Sequence, residues 1–417
     1  MIKHLLAYGQ SDQASFRDPA VAACFDTIAV PGTIASYFED ATAGFVLTLR
    51  KPYIIDPRTP LFQDSLSEPR ASHLTLAEWH GPSVASQIQD GGSFPATFYT
   101  PAVVHEVVNE IVSRQRSYGG RAAGIAPKMN RYLRLLAEAR GEVVPVEAES
   151  QGPAPESVLL PYFAVNNLHS PWLAVMLELW HSARQQPDRH LLRPVVCVGG
   201  ADMALIQSVD LLDAVLEQRP IDLSNEVLFW ITDFDERGAS ETALRRLWEV
   251  VRARTGQGVA LTNLYGGFYS ICLGLAGLGA FANGLGYSES RKWPALEATG
   301  AAPARYYLRD LHLFASPGKA EALVSRAPAF LCDCSVCSAV RHAGRSIVGM
   351  DYAELKAHFA FARLWEMQLV DRDGLAGVTT QLDNARASYL ATPMPPGVTL
   401  AVDHLLRWSH TIGAFEP

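Results

Sequence analysis

Near its C-terminal end the chain reads Cys332-Asp-Cys334-Ser-Val-Cys337, and His358 follows after twenty intervening residues. Three cysteines so close together can converge on one point only if the backbone folds back in a tight loop, which restricts this stretch more than any other. The spacing is that of a structural zinc site, in which thiolates bind Zn²⁺ and a distant histidine completes a closed, four-coordinate shell. Of the two nearest histidines downstream, His342 and His358, the second is the expected ligand. Tyr352 to Val370 carries Leu355, Phe359 and Ala362 on one helical stripe, so His358 near the start of that helix can reach back to the loop. A disulfide framework fits poorly, because the chain has only six cysteines, and Cys24, Cys197 and Cys272 stand isolated in apolar surroundings. With no signal-like N-terminus, a reducing cytoplasm is the expected setting.

The chain is long enough for a barrel-sized domain with a small appendage, and 48% hydrophobic with 19% charged residues fits a globular enzyme. No apolar run is long enough to span a membrane; Phe268 to Phe281 is too short and too rich in glycine. A formal net charge of -8 argues against indiscriminate binding to nucleic acid. The distribution differs from the sum: Arg114, Arg116, Arg121, Lys128, Arg131, Arg134 and Arg140 stand against a single acid, Glu138. Such a segment could track a phosphate backbone or be a solvated helix face, and the residues alone leave both open.

Short apolar runs with strand character occur at Thr27 to Val30, Gly44 to Leu49, Tyr53 to Ile55, Val158 to Val165, Pro194 to Val198, Val227 to Thr232 and Gly258 to Thr262. Amphipathic stretches at Val103 to Arg114, Pro171 to Arg184, Met203 to Glu217 and Ser240 to Arg254 lie between them. This alternation predicts βα units, and their number favours a closed (β/α)₈ barrel over an open doubly wound sheet. Breaker-rich segments at Glu147 to Glu156, Ser316 to Lys319 and Ala391 to Gly397 read as loops. The expected division is a catalytic barrel over 1–315, with a basic helical insertion near 103–145, and a zinc-binding, helical subdomain over 316–417.

A barrel followed by Cys-x-Cys-x-x-Cys and a later histidine resembles the tRNA-guanine transglycosylase superfamily. The likeness rests on Cys332, Cys334, Cys337 and His358, and on Ala357-His-Phe-Ala-Phe-Ala-Arg-Leu364, which resembles the helix that follows the cysteines in that family. It is specific there and only architectural upstream, where the divergent motifs look more like the bacterial branch that installs 7-deazaguanines in DNA. The resemblance implies exchange of guanine for a 7-deazaguanine base in nucleic acid, DNA favoured over tRNA. It also implies a structural Zn²⁺, protein partners or a homodimer, an aspartate that forms a glycosyl-enzyme and a second that manages protons.

Carried onto this chain, the proton-handling aspartate corresponds to Asp56, at the end of Lys51-Pro-Tyr-Ile-Ile-Asp56, with Asp90 as its rival. The expected nucleophile position falls in Gly277-Leu-Gly-Ala-Phe281-Ala282-Asn283, where Ala282 stands in place of aspartate. Asp233 and Asp235, with Glu236, then become the candidate carboxylates, since they end the apolar run Phe229 to Thr232 and two of them alternate onto one face if the strand continues. Asn166 and Asn167, Gly199 and Gly200, and Asn263 follow successive strands and offer amide groups and open backbone to a purine-like ring. A non-catalytic nucleic-acid-binding subunit and a base N-glycosidase are the alternative readings.

Overall fold

The computed structural model describes residues 1–9, 12–64, 66, 68–140, 154–200, 203–286, 289–292 and 303–416. Ten strands line the upstream part: β1 (Lys3–Ala7), β2 (Thr27–Pro31), β3 (Tyr53–Asp56), β4 (Val158–Leu159), β5 (Ala164–Val165), β6 (Leu192–Arg193), β7 (Val195–Val198), β8 (Glu226–Ile231), β9 (Ala260–Asn263) and β10 (Ala280–Gly284). Eight of them form one parallel sheet in the order β3-β2-β1-β10-β9-β8-β7-β5. Helices fill most of the connections, as parallel pairing requires.

The sheet curls strongly. Leu5, Ala29, Ile54, Ala164, Val195, Cys197, Leu228, Trp230, Ala280 and Ala282 belong to a single apolar cluster, although Ile54 and Ala164 sit on the two opposite edge strands. Residues one step away along the same strands, among them Ile28, Val30 and Ile55, or Val196, Val198, Val227 and Phe229, pack outward against the helices. That two-residue alternation makes one face the concave interior and the other the helix-covered exterior. Between the edges lies β4, which pairs with β6, while Ser157 just before it bridges to Ile54 and the Glu156 N–H donates to the Tyr53 carbonyl at 2.7 Å. Among the described residues β3 and β5 share no ladder, so the eight strands form a curled parallel half-barrel, and the continuous closed barrel expected is not shown.

Two expected strands need correction. Gly44 to Leu49 is the second half of a helix, Glu39–Leu49, with Glu39 and Asp40 in its first turn and a left-handed Arg50 ending it. Its apolar run, including Phe45 and Val46, covers the outside of β1–β3; acidic residues ahead of the run were the overlooked helix signal. Val158 to Val165 is two strands, because Pro161 has no N–H to donate to a ladder. Ser316, expected in a loop, instead caps the helix Pro317–Val324, with Pro317 at its first position.

Downstream, β11 (Tyr306–Leu308) and β12 (Leu313–Ala315) form an antiparallel hairpin. The helix Ser335–His342, the long helix Tyr352–Leu390, kinked at Gly374 (φ 60°), and the terminal helix Asp403–Gly413 follow. Asp351 and Glu354 form a reciprocal capping box that fixes where the long helix starts, and hence where His358 points. Ala357, Phe359, Ala360 and Ala362 of that helix join Tyr307, Phe16 and Phe45 in one core, so the C-terminal elements share their packing with the outer layer of the half-barrel.

Candidate metal centre and sheet mouth

The cysteine loop closes as its spacing predicts. The ligand atoms of Cys332, Cys334, Cys337 and His358 all lie within 4.8 Å of one another. Cys334 is the N-cap of the helix Ser335–His342: its Sγ accepts from the Cys337 N–H at 3.5 Å, and the Cys332 Sγ accepts from the Cys334 N–H at 3.5 Å. His358 Nδ1 stands 3.5 Å from Cys334 Sγ and 3.3 Å from Cys337 Sγ, whereas Nε2 lies 2.7 Å from the Tyr307 carbonyl. A carbonyl only accepts, so Nε2 carries the proton and the Nδ1 lone pair faces the thiols, the tautomer a metal ligand needs. Tyr306 stacks on His358 with centroids 4.2 Å apart, and its hydroxyl is 3.4 Å from Cys337 Sγ.

Three thiols this close cannot all ionise without a counter-charge. Hydrogen bonds involving Cys332 and Cys337 hold Cys334 down to about 3, while the same crowding pushes Cys337 up. A divalent cation that takes all three as thiolates resolves that conflict. The four residues can therefore hold a metal ion, and their donor set is compatible with zinc. His342 is exposed at the end of its helix and outside the cluster. A metal held by all four would have a closed shell with no open position.

A second constellation occupies the C-terminal end of the curled sheet. Asp56 ends β3 in register with Pro31 and is buried, at 5% exposure. By the alternation with Ile54 it belongs to the concave side. Tyr162 donates its hydroxyl to Oδ1 at 2.8 Å, the Arg58 N–H donates to the same oxygen at 3.1 Å, and Arg58 Nε lies 2.7 Å from Oδ2. Arg58 adopts a left-handed conformation (φ 56°), which turns its side chain back over the strand end. Burial alone would pull its pKa down, but the neighbouring Tyr265, Asp56 and Tyr162 outweigh this and hold it up.

Across the mouth, Trp230 of β8 faces the interior with Tyr265 against it, ring centroids 5.3 Å apart. The Arg291 guanidinium lies 5.6 Å from the Trp230 centroid and 5.5 Å from that of Tyr265, and it donates to the Tyr265 hydroxyl at 2.5 Å. The Trp230 indole nitrogen is buried and takes no partner among the described residues.

The carboxylates after β8 fall into three environments. The strand stops at Ile231, and Asp233 turns the chain at φ 60°, so Asp233 and Asp235 do not continue a strand face as expected. Asp233 is half-buried, its N–H donates to the Arg291 carbonyl, and its carboxylate has no partner among the described residues. Asp235 accepts from the Arg237 N–H at 3.2 Å in a local turn and lies 3.6 Å from the Arg237 Nε. Glu236 is buried and accepts from the backbone N–H groups of Tyr269 and Ser270 and from the Ser270 hydroxyl, at 2.9, 3.1 and 2.5 Å. Burial raises its pKa against those bonds. Glu236 thus caps the short helix Phe268–Cys272 instead of offering itself to a ligand.

Asn263 lies on the outer side of β9, where its amide donates to Ser270 Oγ at 2.9 Å. Asn166 and Asn167 are exposed after β5 and hydrogen-bond each other at 3.0 Å. Gly199 has φ 113°, and a Cβ there would meet Thr232 Oγ1 at 2.5 Å, so glycine is required for the strands to approach; Gly200 faces Asn166. Asp90 is exposed at the end of the helix Pro82–Gln89. Ala282 faces the interior of the half-barrel, so a methyl group occupies the position the resemblance assigns to the nucleophile.

The basic segment belongs to one long helix, Pro101–Arg140. Lys128, Arg131 and Arg134 are exposed, Arg114 lies 3.8 Å from Glu110, and Arg116 lies 3.6 Å from Asp188. The side chains of Arg121 and Arg140, and most of Glu147 to Glu156, lie outside the described residues.

A buried ionic network joins the two constellations. Arg363 is fully buried, paired with Glu366 and Glu289, and sits 4.8 and 4.9 Å from the ring centroids of Tyr307 and Phe359. Glu366 also accepts from the Tyr307 hydroxyl at 2.7 Å and stands 2.6 Å from His312 Nδ1. Trp408 of the terminal helix donates its indole N–H to the Glu236 carbonyl at 3.0 Å, so the turn after β8 is held from the C-terminal side.

Of the mouth residues, Arg58, Tyr162, Trp230, Tyr265 and Arg291 were not singled out from the sequence. Arg58 alone carried a signal, two positions after the chosen aspartate. No protein-family model matches this sequence, and no curated protein matches it with significance.

Proposed function

We propose that the chain is a transglycosylase-like enzyme that exchanges guanine for a 7-deazaguanine base in nucleic acid, with DNA the favoured substrate and zinc in the Cys332–Cys334–Cys337–His358 centre. The observation that carries this reading is the conjunction, in one chain, of a curled parallel sheet with a buried carboxylate at its C-terminal mouth and a closed Cys₃His cluster packed against its outer layer. Asp56 is the proton-handling carboxylate. Asp233, whose carboxylate is uncommitted at the same end of the sheet, is the nucleophile in place of the absent residue at Ala282.

In this scheme the Asp233 carboxylate bonds to the anomeric carbon as the bond to guanine N9 breaks, and the departing base takes a proton from the Asp56 side. An incoming 7-deazaguanine then returns a proton and displaces the carboxylate, so no oxidant or external energy source enters. Zinc, when bound, would offset two of the three thiolate charges and fix the loop and helix that support Tyr306 and Tyr307. A duplex substrate must present its target nucleotide outside the stack, and the exposed cations of the long helix are the charge that would track its backbone.

A second reading is favoured by Ala282: a non-catalytic, nucleic-acid-binding subunit whose partner chain supplies the chemistry. Incorporation of radiolabelled guanine and 7-deazaguanine into DNA and into tRNA separates the two. Exchange in the wild-type chain that disappears in Asp56→Ala and Asp233→Ala, with metal content unchanged, supports the enzyme. Exchange that survives both removes these assignments, and no exchange without a second protein supports the subunit.

A further inference from the structure

The end of the sheet opposite Asp56 holds a concavity of its own. Between the helix Pro101–Arg140, the approach to β4, β6 and the start of β8 lies a cavity of about 260 Å³, with Arg116, Ser157, Arg193 and Glu226 in its lining. Arg193 is fixed there by the short β4–β6 ladder, in register with Leu159. Pro155, Val158 and Leu191 supply an apolar wall. A smaller cavity of about 180 Å³ shares Glu156, Arg193 and Glu226 and adds Lys3.

The charges around this space come in both signs. Arg193 pairs with Glu226, and Lys3 lies 3.5 Å from Glu156, which also accepts from the Thr27 hydroxyl at 2.9 Å. Glu226 is 48% exposed and Lys3 64%, and ion pairs this open to water are weak, so a ligand that satisfies both partners separates them at little cost. Ser157 adds a hydroxyl that is buried and has no hydrogen-bond partner among the described residues. A bare anion or a bare cation would lie beside groups of its own sign here. A molecule carrying one charge of each sign and an apolar group meets the whole lining. The volume falls below the roughly 300–1,000 Å³ of sites for drug-sized ligands, so the ligand is smaller than a nucleotide.

We infer that this cavity binds a free α-amino acid with an aliphatic side chain, its carboxylate taken by Arg193 and Arg116, its ammonium by Glu226, and its side chain by Val158 and Leu191. The site stands apart from the mouth and does not rest on the base-exchange reading. It lies at the seam of the half-barrel, where Ser157 bridges to Ile54 of β3. A ligand held there ties β4, β6 and β8 together, and binding to the folded chain alone raises its thermal stability.

The test is calorimetric titration of the full-length protein with L-leucine, 4-methylpentanoate and 3-methylbutylamine, which share an isobutyl group and differ in the charges they carry. Wild type should bind L-leucine at least about tenfold more tightly than either one-charge analogue. Glu226→Gln should erase the margin over 4-methylpentanoate, and Arg193→Gln the margin over 3-methylbutylamine, while both variants still unfold cooperatively on heating. The inference is overturned if L-leucine does not bind, if 4-methylpentanoate binds the wild type as tightly, or if both variants keep the wild-type affinity for L-leucine. Each of those results leaves the base-exchange reading standing.

Discussion

The metal centre and the sheet mouth are built in opposite ways. Three of the four metal ligands come from six consecutive residues and the fourth from the next long helix, so the centre is almost local. The mouth collects Asp56 and Arg58 from the end of β3, Tyr162 from the segment between β4 and β5, Trp230 from β8, Tyr265 from beyond β9 and Arg291 from beyond β10. Local sites survive as spacing motifs, because chain connectivity itself brings the ligands together. Dispersed sites depend on sheet order, which no short motif records. The four residues of the metal centre face one another, whereas the buried Trp230 indole at the mouth has no hydrogen-bond partner among the described residues.

The comparison breaks most readily at the cysteines. Cys334→Ser removes both a ligand and the cap of the helix Ser335–His342, and elemental analysis should find the metal absent. Metal retained at one equivalent would show that the cluster does not bind it.

Next in size is the link between the regions. Glu366→Gln leaves the buried Arg363 with one fewer charge partner and should destabilise the fold by about 3–5 kcal/mol in denaturant titration, with metal content preserved. A neutral result would mean that the network does not couple the hairpin to the half-barrel.

Acidification probes the half-barrel and the C-terminal elements together through His80 and His404. Burial pushes each down to about 4, and each has a backbone carbonyl as partner. The folded pKa is depressed, so the unfolded chain takes up protons from about pH 6.5 downward that the folded chain refuses until about pH 4. Stability therefore falls across that window and is unaffected above it, by roughly 3 kcal/mol for each histidine. Urea unfolding at pH 7 and pH 4.5 should show the loss, and His80→Gln should remove about half of it.

The smallest effect expected is at Tyr306. Replacement by Phe keeps the stack on His358 but deletes the hydroxyl next to Cys337 Sγ, and competition with a chelator should show metal affinity lower by about tenfold. An unchanged affinity would confine Tyr306 to packing.

The legible parts of the fold were those where apolar side chains follow one period without interruption. β2, β3, β7 and β8 are such runs, and Ser240 announces the helix that follows β8. β1 and β10 were harder to recognise. β1 opens with Lys3 and His4, and the outward His4 is accommodated only because it stacks on Phe281 and bonds to Asn283 across the sheet. β10 is Ala-Phe-Ala-Asn-Gly, with no β-branched residue to mark a strand. Asp56 was legible because it ends an apolar run. The hydrogen bonds of Glu236 and Asn263 to Ser270 were not legible, because strand-end polar residues suit a pocket and a helix cap equally well and no short motif records where Ser270 falls.

Tyr306 and Tyr307 are neighbours on β11 and, by strand alternation, point to opposite sides: one to the thiol cluster, the other to the carboxylate that clamps Arg363. A chelating agent in a purification buffer would thus loosen a clamp it never touches, and handling history would show as a difference in folding stability between preparations.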